Sequence, residues 1–398
     1  MIIECILCLI VGILIGSITG LLPGIHINLV ASFILLHLSK INSEYVLPLA
    51  VFVISLSITH IFVDFIPTTL LGVPNEDNLL AVLPAHRMVK EGQAFEAIKY
   101  GLLGCLFSTP LFLIITPIYL LSLEKIYLIV ETFIPFVIIF SIIYLILREP
   151  NILLGLTIFV ISGILGYSAF NLPIKEPLLP LLTGLFGLSS IFLSLSDSNN
   201  KIVQEIEDKK ISYKMLVKPT IISGLITPLL SFLPAIGSGH MSLLSSEISN
   251  QNSKQFIFTN GLVSTLTMSL SVVVAYIIGK TRTGSAVAIN SLLEPFDKEI
   301  INLIVVVLAI IVVSIVAYLW SKFLAIKAIS MYDKINYNNL AMIILSLVLI
   351  FNILLTNSLG LVLLISSTSL GIICIKLNVK RIQLMGCLLI PTLIYYLA

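Results

Sequence analysis

Apolar runs of about the length of a membrane-crossing helix fill this chain, separated by short polar or Gly/Pro-rich punctuation. They fall near 3–20, 27–38, 46–63, 97–121, 125–147, 151–167 and 178–195. They resume near 219–233, 257–279, 300–320, 338–355, 358–376 and 383–397. A spanning helix needs about 20 mostly apolar residues. Strands of a membrane barrel would alternate in polarity over about 10 residues, and no such alternation occurs. The pattern predicts an all-α polytopic protein, multi-pass in the cell membrane. The one sizeable polar stretch, Asp197 to Lys218, carries five lysines against four acids near the centre of 398 residues. The chain therefore reads as a first membrane repeat (1–196), a polar connector (197–218) and a second membrane repeat (219–398).

Two interruptions of the apolar pattern sit at corresponding places in the halves: Leu22-Pro23-Gly24-Ile25-His26-Ile27-Asn28 and Leu233-Pro234-Ala235-Ile236-Gly237-Ser238-Gly239-His240. Pro23 and Pro234 are 211 positions apart. A second pair, Leu71-Gly72-Val73-Pro74-Asn75-Glu76-Asp77 and Ile278-Gly279-Lys280-Thr281-Arg282-Thr283-Gly284, has its glycines 207 apart. Two matches in the same order point to duplication. Matched Gly/Pro breaks in apolar segments are the sequence pointer to a transporter whose substrate sits where broken helices meet.

Mid-membrane breaks free backbone groups that lipid cannot satisfy, so they survive only against protein or a watery cavity. A helix that starts after the break aims its N–H groups and positive dipole end at that cavity, which suits an anion. Pro23, Gly24, His26 and Asn28 in the first half, and Pro234, Gly237, Ser238 and Gly239 in the second, are candidate substrate contacts. Small residues also serve close helix packing. Around the second pair, Gly72, Pro74, Asn75, Thr281, Arg282, Thr283 and Ser285 are further candidates, with Arg282 able to hold a carboxylate bidentately; an ordinary solvated loop is the alternative for Lys280 and Glu76. His60 and Asp64, four apart inside an apolar segment, share a helix face and can pair or relay a proton. Asp64 could equally cap a helix beginning at Pro67. With Asp77 they form the candidate ion-coupling set. Glu131 reads as interfacial.

Composition agrees: 58% of residues are hydrophobic and 11% charged, against about a quarter charged in soluble proteins. A net charge of +2 without a basic block offers nothing to a phosphate backbone, so nucleic acid is no partner. The start, Met1-Ile2-Ile3-Glu4, lacks a signal peptide's basic region, and the first segment is expected to stay as a helix. Cys5, Cys8, Cys105, Cys374 and Cys387 lie in or beside apolar stretches and are read as packing residues. No cofactor or metal is expected beyond a coupling Na⁺ or H⁺. Basic residues gather at 86–99, in the connector and at Lys376 to Arg381, which the positive-inside rule assigns to the cytoplasm.

These motifs resemble the large permease subunit of the tripartite tricarboxylate transporters, the TctA type. Its G-x-x-x-G-x-x-P-G signature matches Gly16 to Gly24. A G-x-P-like element followed by a stretch ending in lysine and glycine matches Gly72-Val73-Pro74 and Leu83 to Ala94. The second-half P-G-x-G looks like Pro234-Ala235-Ile236-Gly237. The likeness is sharpest over 12–104 and extends to 220–290. It implies two inverted structural repeats with re-entrant or broken helices in an elevator-like permease. It also implies a di- or tricarboxylate substrate, Na⁺ or H⁺ coupling, and a small membrane subunit and external binding protein as partners; a homodimer is expected by analogy with such carriers. This chain departs from the family at His26, Asn28 and Ala235, which leaves open a stand-alone carrier for another anion.

Two other readings compete. A carrier flipping a polyprenyl phosphate would use the same helix N-termini and Arg282. An intramembrane enzyme would use Ser238 with His240, but adjacent residues give no reason to expect a base and an oxyanion site around the nucleophile. Neither does the chain contain H-E-x-x-H.

Overall fold

The computed structural model describes residues 2–22, 34, 42–72, 82–174, 177–189, 191–192, 202–207, 210–233, 237–281, 283–293, 299–332 and 337–397. Among them every regular element is helical. The first half contains α1 (Ile2–Leu21), α2 (Val46–Leu71), α3 (Val82–Lys90), α4 (Ala94–Val130), α5 (Ile134–Leu147), α6 (Ile152–Asn171) and α7 (Leu178–Leu182), which runs on into a π turn. The second contains α8 (Lys214–Leu230), α9 (Ser238–Ser249), α10 (Ser253–Ile278), α11 (Gly284–Leu293), α12 (Ile300–Tyr332), α13 (Tyr337–Leu355), α14 (Ser358–Lys376) and α15 (Gly386–Leu397). Seven stretches among the described residues are long and apolar enough to cross a membrane: α1, α2, the run Ala94–Leu147, α6, α10, α12 and α14. This is a multi-pass membrane protein.

Glycines set the closest helix pairings. A Cβ on Gly12, Gly16 or Gly20 would fall within 2.5–2.9 Å of α2, meeting Phe52 and Ser55, then Leu56, then His60 and Val63. The contacts advance together along both helices, so α1 and α2 lie side by side and parallel. Gly104 and Gly261 do the same between α4 and α10: a Cβ on Gly104 would stand 1.9 Å from Phe258 O. Small residues let membrane helices approach this closely. The Lys254–Glu96 ion pair at 2.7 Å joins the starts of α4 and α10, which also run parallel.

The two 26-residue helices α2 and α10 start 207 positions apart, and each ends on a left-handed glycine, Gly72 (φ 65°) and Gly279 (φ 69°). Each packs against a long helix of the other half, α2 on α12 and α10 on α4. The end of α2 meets α3, which turns straight into α4, so α2 finishes on the face where α10 begins. The two helices therefore cross in opposite directions.

That face is also where the basic segments gather. The connector is pinned there: Gln204 Nε2 donates to Val89 O, Gln204 Oε1 accepts from Ala94 N, and Glu205 N donates to Gly92 O. Arg148 pairs with Glu247 near the end of α9 at 2.9 Å. Buried Glu149 accepts from Lys380 N and Gln383 Nε2, both at 3.0 Å. The 86–99 region, the connector and the start of the last helical segment thus share one basic face. Lys280 and Glu131, 3.8 Å apart, lie at the opposite face.

Several boundaries differ from the sequence expectation. The runs 97–121 and 125–147 are not divided at 121–125: α4 continues to Val130, because Glu124 and Lys125 are good helix formers outside the apolar zone, and the turn comes at the 3₁₀ segment Glu131–Phe133. The connector is shorter than 197–218, since α8 begins at Lys214. The run at 27–38 lies outside the described residues except Ile34.

Candidate functional site

The core of the molecule is α2. Val46 to Leu70 is almost wholly buried, which a helix apolar on every side requires, yet it carries Ser55, Ser57, Thr59, His60, Asp64, Thr68 and Thr69 into that core. His60 is 2% exposed and Asp64 5%. Thr19 Oγ1 on α1 shares a hydrogen bond with His60 Nδ1 at 3.0 Å, its direction set by the imidazole tautomer, and lies 3.2 Å from Gly16 O. Thr68 Oγ1 donates to Asp64 Oδ2 at 3.4 Å. The helix runs unbroken through Pro67 to Leu71, so Asp64 does not cap a new helix there. A buried acid and histidine in mid-helix are expensive in a membrane and are expected at functional sites.

The second half reaches this helix through α11. After Gly279 the chain doubles back, and Thr283 Oγ1 comes within 3.2 Å of Ser271 Oγ, two turns before the end of α10. Thr283 then caps α11, accepting from Ala286 N at 3.2 Å. One residue into the helix, Ser285 bonds Ser57 of α2 at 2.7 Å. Ser57 is the twelfth residue of α2, roughly 16 Å along it at 1.5 Å per residue. The N-terminus of α11 is therefore inside the membrane zone.

A similar start belongs to α9. The hairpin α8–α9 enters and leaves on the basic face, because Gln255 Nε2 donates to Met215 O at 2.7 Å and α9 ends three residues before α10. Its apex is the second interruption. Gly237 precedes α9, and His240 folds back so that its Nδ1 accepts from Gly237 N at 3.2 Å. That bond fixes the imidazole against the turn that opens α9. A Cβ on Gly237 would sit 3.6 Å from Met385 Cε, in the 3₁₀ segment Arg381–Met385.

Of the residues singled out by sequence, His60, Asp64, Thr283 and Ser285 gather around α2. Gly72 is the left-handed cap of that helix. Gly237, Ser238 and Gly239 open α9, and Ser238 is 3% exposed. Thr281 lies in the short link after Gly279. Lys280 is a half-exposed surface residue paired with Glu131. Pro23, Gly24, His26, Asn28, Pro74, Asn75, Asp77, Pro234 and Arg282 lie outside the described residues. Sequence reasoning missed Thr19, Ser57, Thr68 and Ser271. The 207-residue offset was the available signal: it pairs Ser57 with Ser264, His60 with Thr267 and Asp64 with Ser271. The hydroxyls of Thr59, Thr69 and Thr267 are buried with no hydrogen-bond partner.

Two further features lie apart from this cluster. Near the opposite face a shallow pocket between α10, α11 and α12 is lined by Val272, Ala275, Tyr276, Asn290, Glu299 and Val306. Among the described residues no three of His, Cys, Asp and Glu come together as metal ligands.

The sequence model of the Tripartite tricarboxylate transporter TctA family matches residues 6–386. An uncharacterized protein of Methanocaldococcus jannaschii is 28% identical over 411 aligned positions, covering 98% of this chain and 99% of the relative. No solved structure matches the chain.

Proposed function

The chain belongs to the Tripartite tricarboxylate transporter TctA family, and from that premise we propose that it is the permease of a secondary transporter for an organic anion, a di- or tricarboxylate. The family is one of transporters, and its systems are tripartite; a small membrane subunit and an external binding protein are the partners this reading calls for.

The observation that carries the proposal is the re-entry of α11, whose capped N-terminus meets Ser57 in the middle of α2. Helix N-termini favour negative charge through their unpaired N–H groups and dipole. The anion is assigned to this end and to the start of α9 at Gly237 and Ser238; Pro23, Gly24, His26, Asn28 and the guanidinium of Arg282, all outside the described residues, are the further contacts this reading calls for. The unpartnered hydroxyl of Thr267, one turn before Ser271 on α10, supports a polar site there, because a buried unsatisfied group costs about 1–3 kcal/mol. His60 and Asp64 are the coupling residues, taking a proton or Na⁺. The halves are read as inverted repeats, which the opposite directions of α2 and α10 support. The positive-inside rule puts the basic face in the cytoplasm.

Thermal stability of the purified protein against citrate, shorter dicarboxylates, acidic amino acids and a short-chain polyprenyl phosphate, with and without Na⁺ at two pH values, tests this. A ligand at 100 times its Kd adds about 2.7 kcal/mol. Stabilisation by a carboxylate supports the reading and names the ion; a response to the lipid phosphate alone overturns it.

A further inference from the structure

We propose that protons reach the buried His60–Asp64 pair from the basic face along one side of α2, through Thr68, with His86 on α3 as the terminal relay; the inference rests on the proton-coupled form of the transport reading above.

Positions 60, 64, 68 and 72 fall one turn apart on a single face of α2. Three of them carry proton-handling groups: a histidine, a carboxyl and a hydroxyl, and Thr68 already bonds Asp64 Oδ2 at 3.4 Å. The fourth is Gly72, where a side chain would interrupt the line. His86 takes that place. Its Nδ1 lies 3.4 Å from where a Cβ on Gly72 would stand, and this nitrogen is buried with no hydrogen bond of normal geometry. From Thr68 to Gly72 is four residues, about 6 Å of rise along α2, and the proton crosses this gap through bridging water.

The surroundings of His86 suit a relay. Burial, then Lys90 one turn further along α3, hold its imidazolium below the usual histidine range, with the Thr69 backbone opposing weakly. A lowered pKa makes the protonated ring a readier donor to its neighbours. The ionisable groups on elements packed against α3 are His60 and Asp64 on α2, Glu96 and Lys99 near the start of α4, and Lys254 at the start of α10. The exit is aqueous: Arg87 and Lys90 on the same short helix are exposed. No bond other than O–H or N–H is made or broken, so the path needs no co-reactant.

The test uses the full chain in proteoliposomes with radiolabelled citrate as probe. His86→Gly is expected to keep citrate exchange, which reports a folded permease. It should lose pH-driven accumulation by about a hundredfold, the size of a positioned proton-transfer group. Imidazole added on the basic face should restore accumulation. Thr68→Val should slow pH-driven uptake while Thr68→Ser does not. Undiminished accumulation by His86→Gly overturns the relay. So does joint loss of exchange and accumulation that imidazole does not rescue, since that marks a structural histidine. Wild-type uptake that ignores the pH gradient refutes proton coupling itself, and the relay with it. Failure of the wild type to exchange citrate or any tested anion refutes the transport reading instead.

Discussion

Replacing Gly104 by alanine tests the glycine seam between α4 and α10 most severely. The added Cβ would lie 1.9 Å from Phe258 O, 2.8 Å from Phe258 C and 2.9 Å from Leu262 N. All three are backbone atoms, so no side-chain rotation relieves the clash, and the helices must separate by more than 1 Å for an ordinary contact of about 3.4 Å. Gly261, one turn away, faces Gly101 O and Cys105 N from the other side, which leaves no direction of easy escape. Overpacking of this kind costs about 1–3 kcal/mol, and the backbone origin of the clash favours the upper end. Gly224→Ala is the matched control: its Cβ would meet only the end of the Leu111 side chain, at 3.2 Å, while alanine improves helix propensity by about 1 kcal/mol. Thermal unfolding in detergent, followed by size-exclusion fluorescence, should place Gly104→Ala clearly below the wild type and Gly224→Ala at or above it. Equal midpoints for the two variants would refute the argument that close backbone approach fixes this pair.

Four other outcomes are expected. Gly279→Ala meets nothing within 4 Å but must adopt φ 69°, so it should lose about 1–2 kcal/mol through strain alone, with Gly279→Asn milder in the same unfolding assay. Glu149→Ala leaves Lys380 N without its acceptor, while Gln383 Nε2 keeps Leu145 O, and should cost about 1–3 kcal/mol; a neutral result would mean the α5–α6 turn does not anchor the last helical segment. Because the folded state lowers the His86 pKa from the usual 6.5, the unfolded chain binds more protons just below that value. Stability should then fall as pH drops through about 6.5, and His86→Gln should flatten that part of the profile measured by unfolding midpoint. Asp64→Asn should spare citrate exchange and remove uphill, pH-driven uptake in vesicles; intact uphill uptake would make Asp64 a structural residue.

The long apolar spans were legible because lipid imposes a single requirement, unbroken apolar length, that the sequence states directly. The ends of α2 and α10 were legible too, since the left-handed end of each helix needs a glycine and Gly72 and Gly279 stand there. Helix ends were less so. Glu124 and Lys125 looked like a loop, but both favour helix and lie where water can solvate them, so α4 passes through. Within the candidate site, His60 and Asp64 stood out because charge is rare in such a segment. Thr19, Ser57 and Ser271 did not, because a hydroxyl in an apolar helix is common and most here simply bond the carbonyl one turn back, as Ser55 does with Val51. Only the fold, by returning Ser285 to α2, distinguishes Ser57 from its neighbours.

Gly237, just before α9, sits beside the thioether of Met385, a residue packed against both the main core and the smaller core of α6, α7 and α14. An unbranched, polarizable side chain with three rotatable bonds fills irregular gaps that a branched one would not fit, so Met385 suits the join between the two cores. The same sulfur is open to a chemical insult. Conversion to the sulfoxide would turn that apolar contact polar and chiral, and oxidation of this one sulfur would disturb the packing of both cores and of the start of α9 at once.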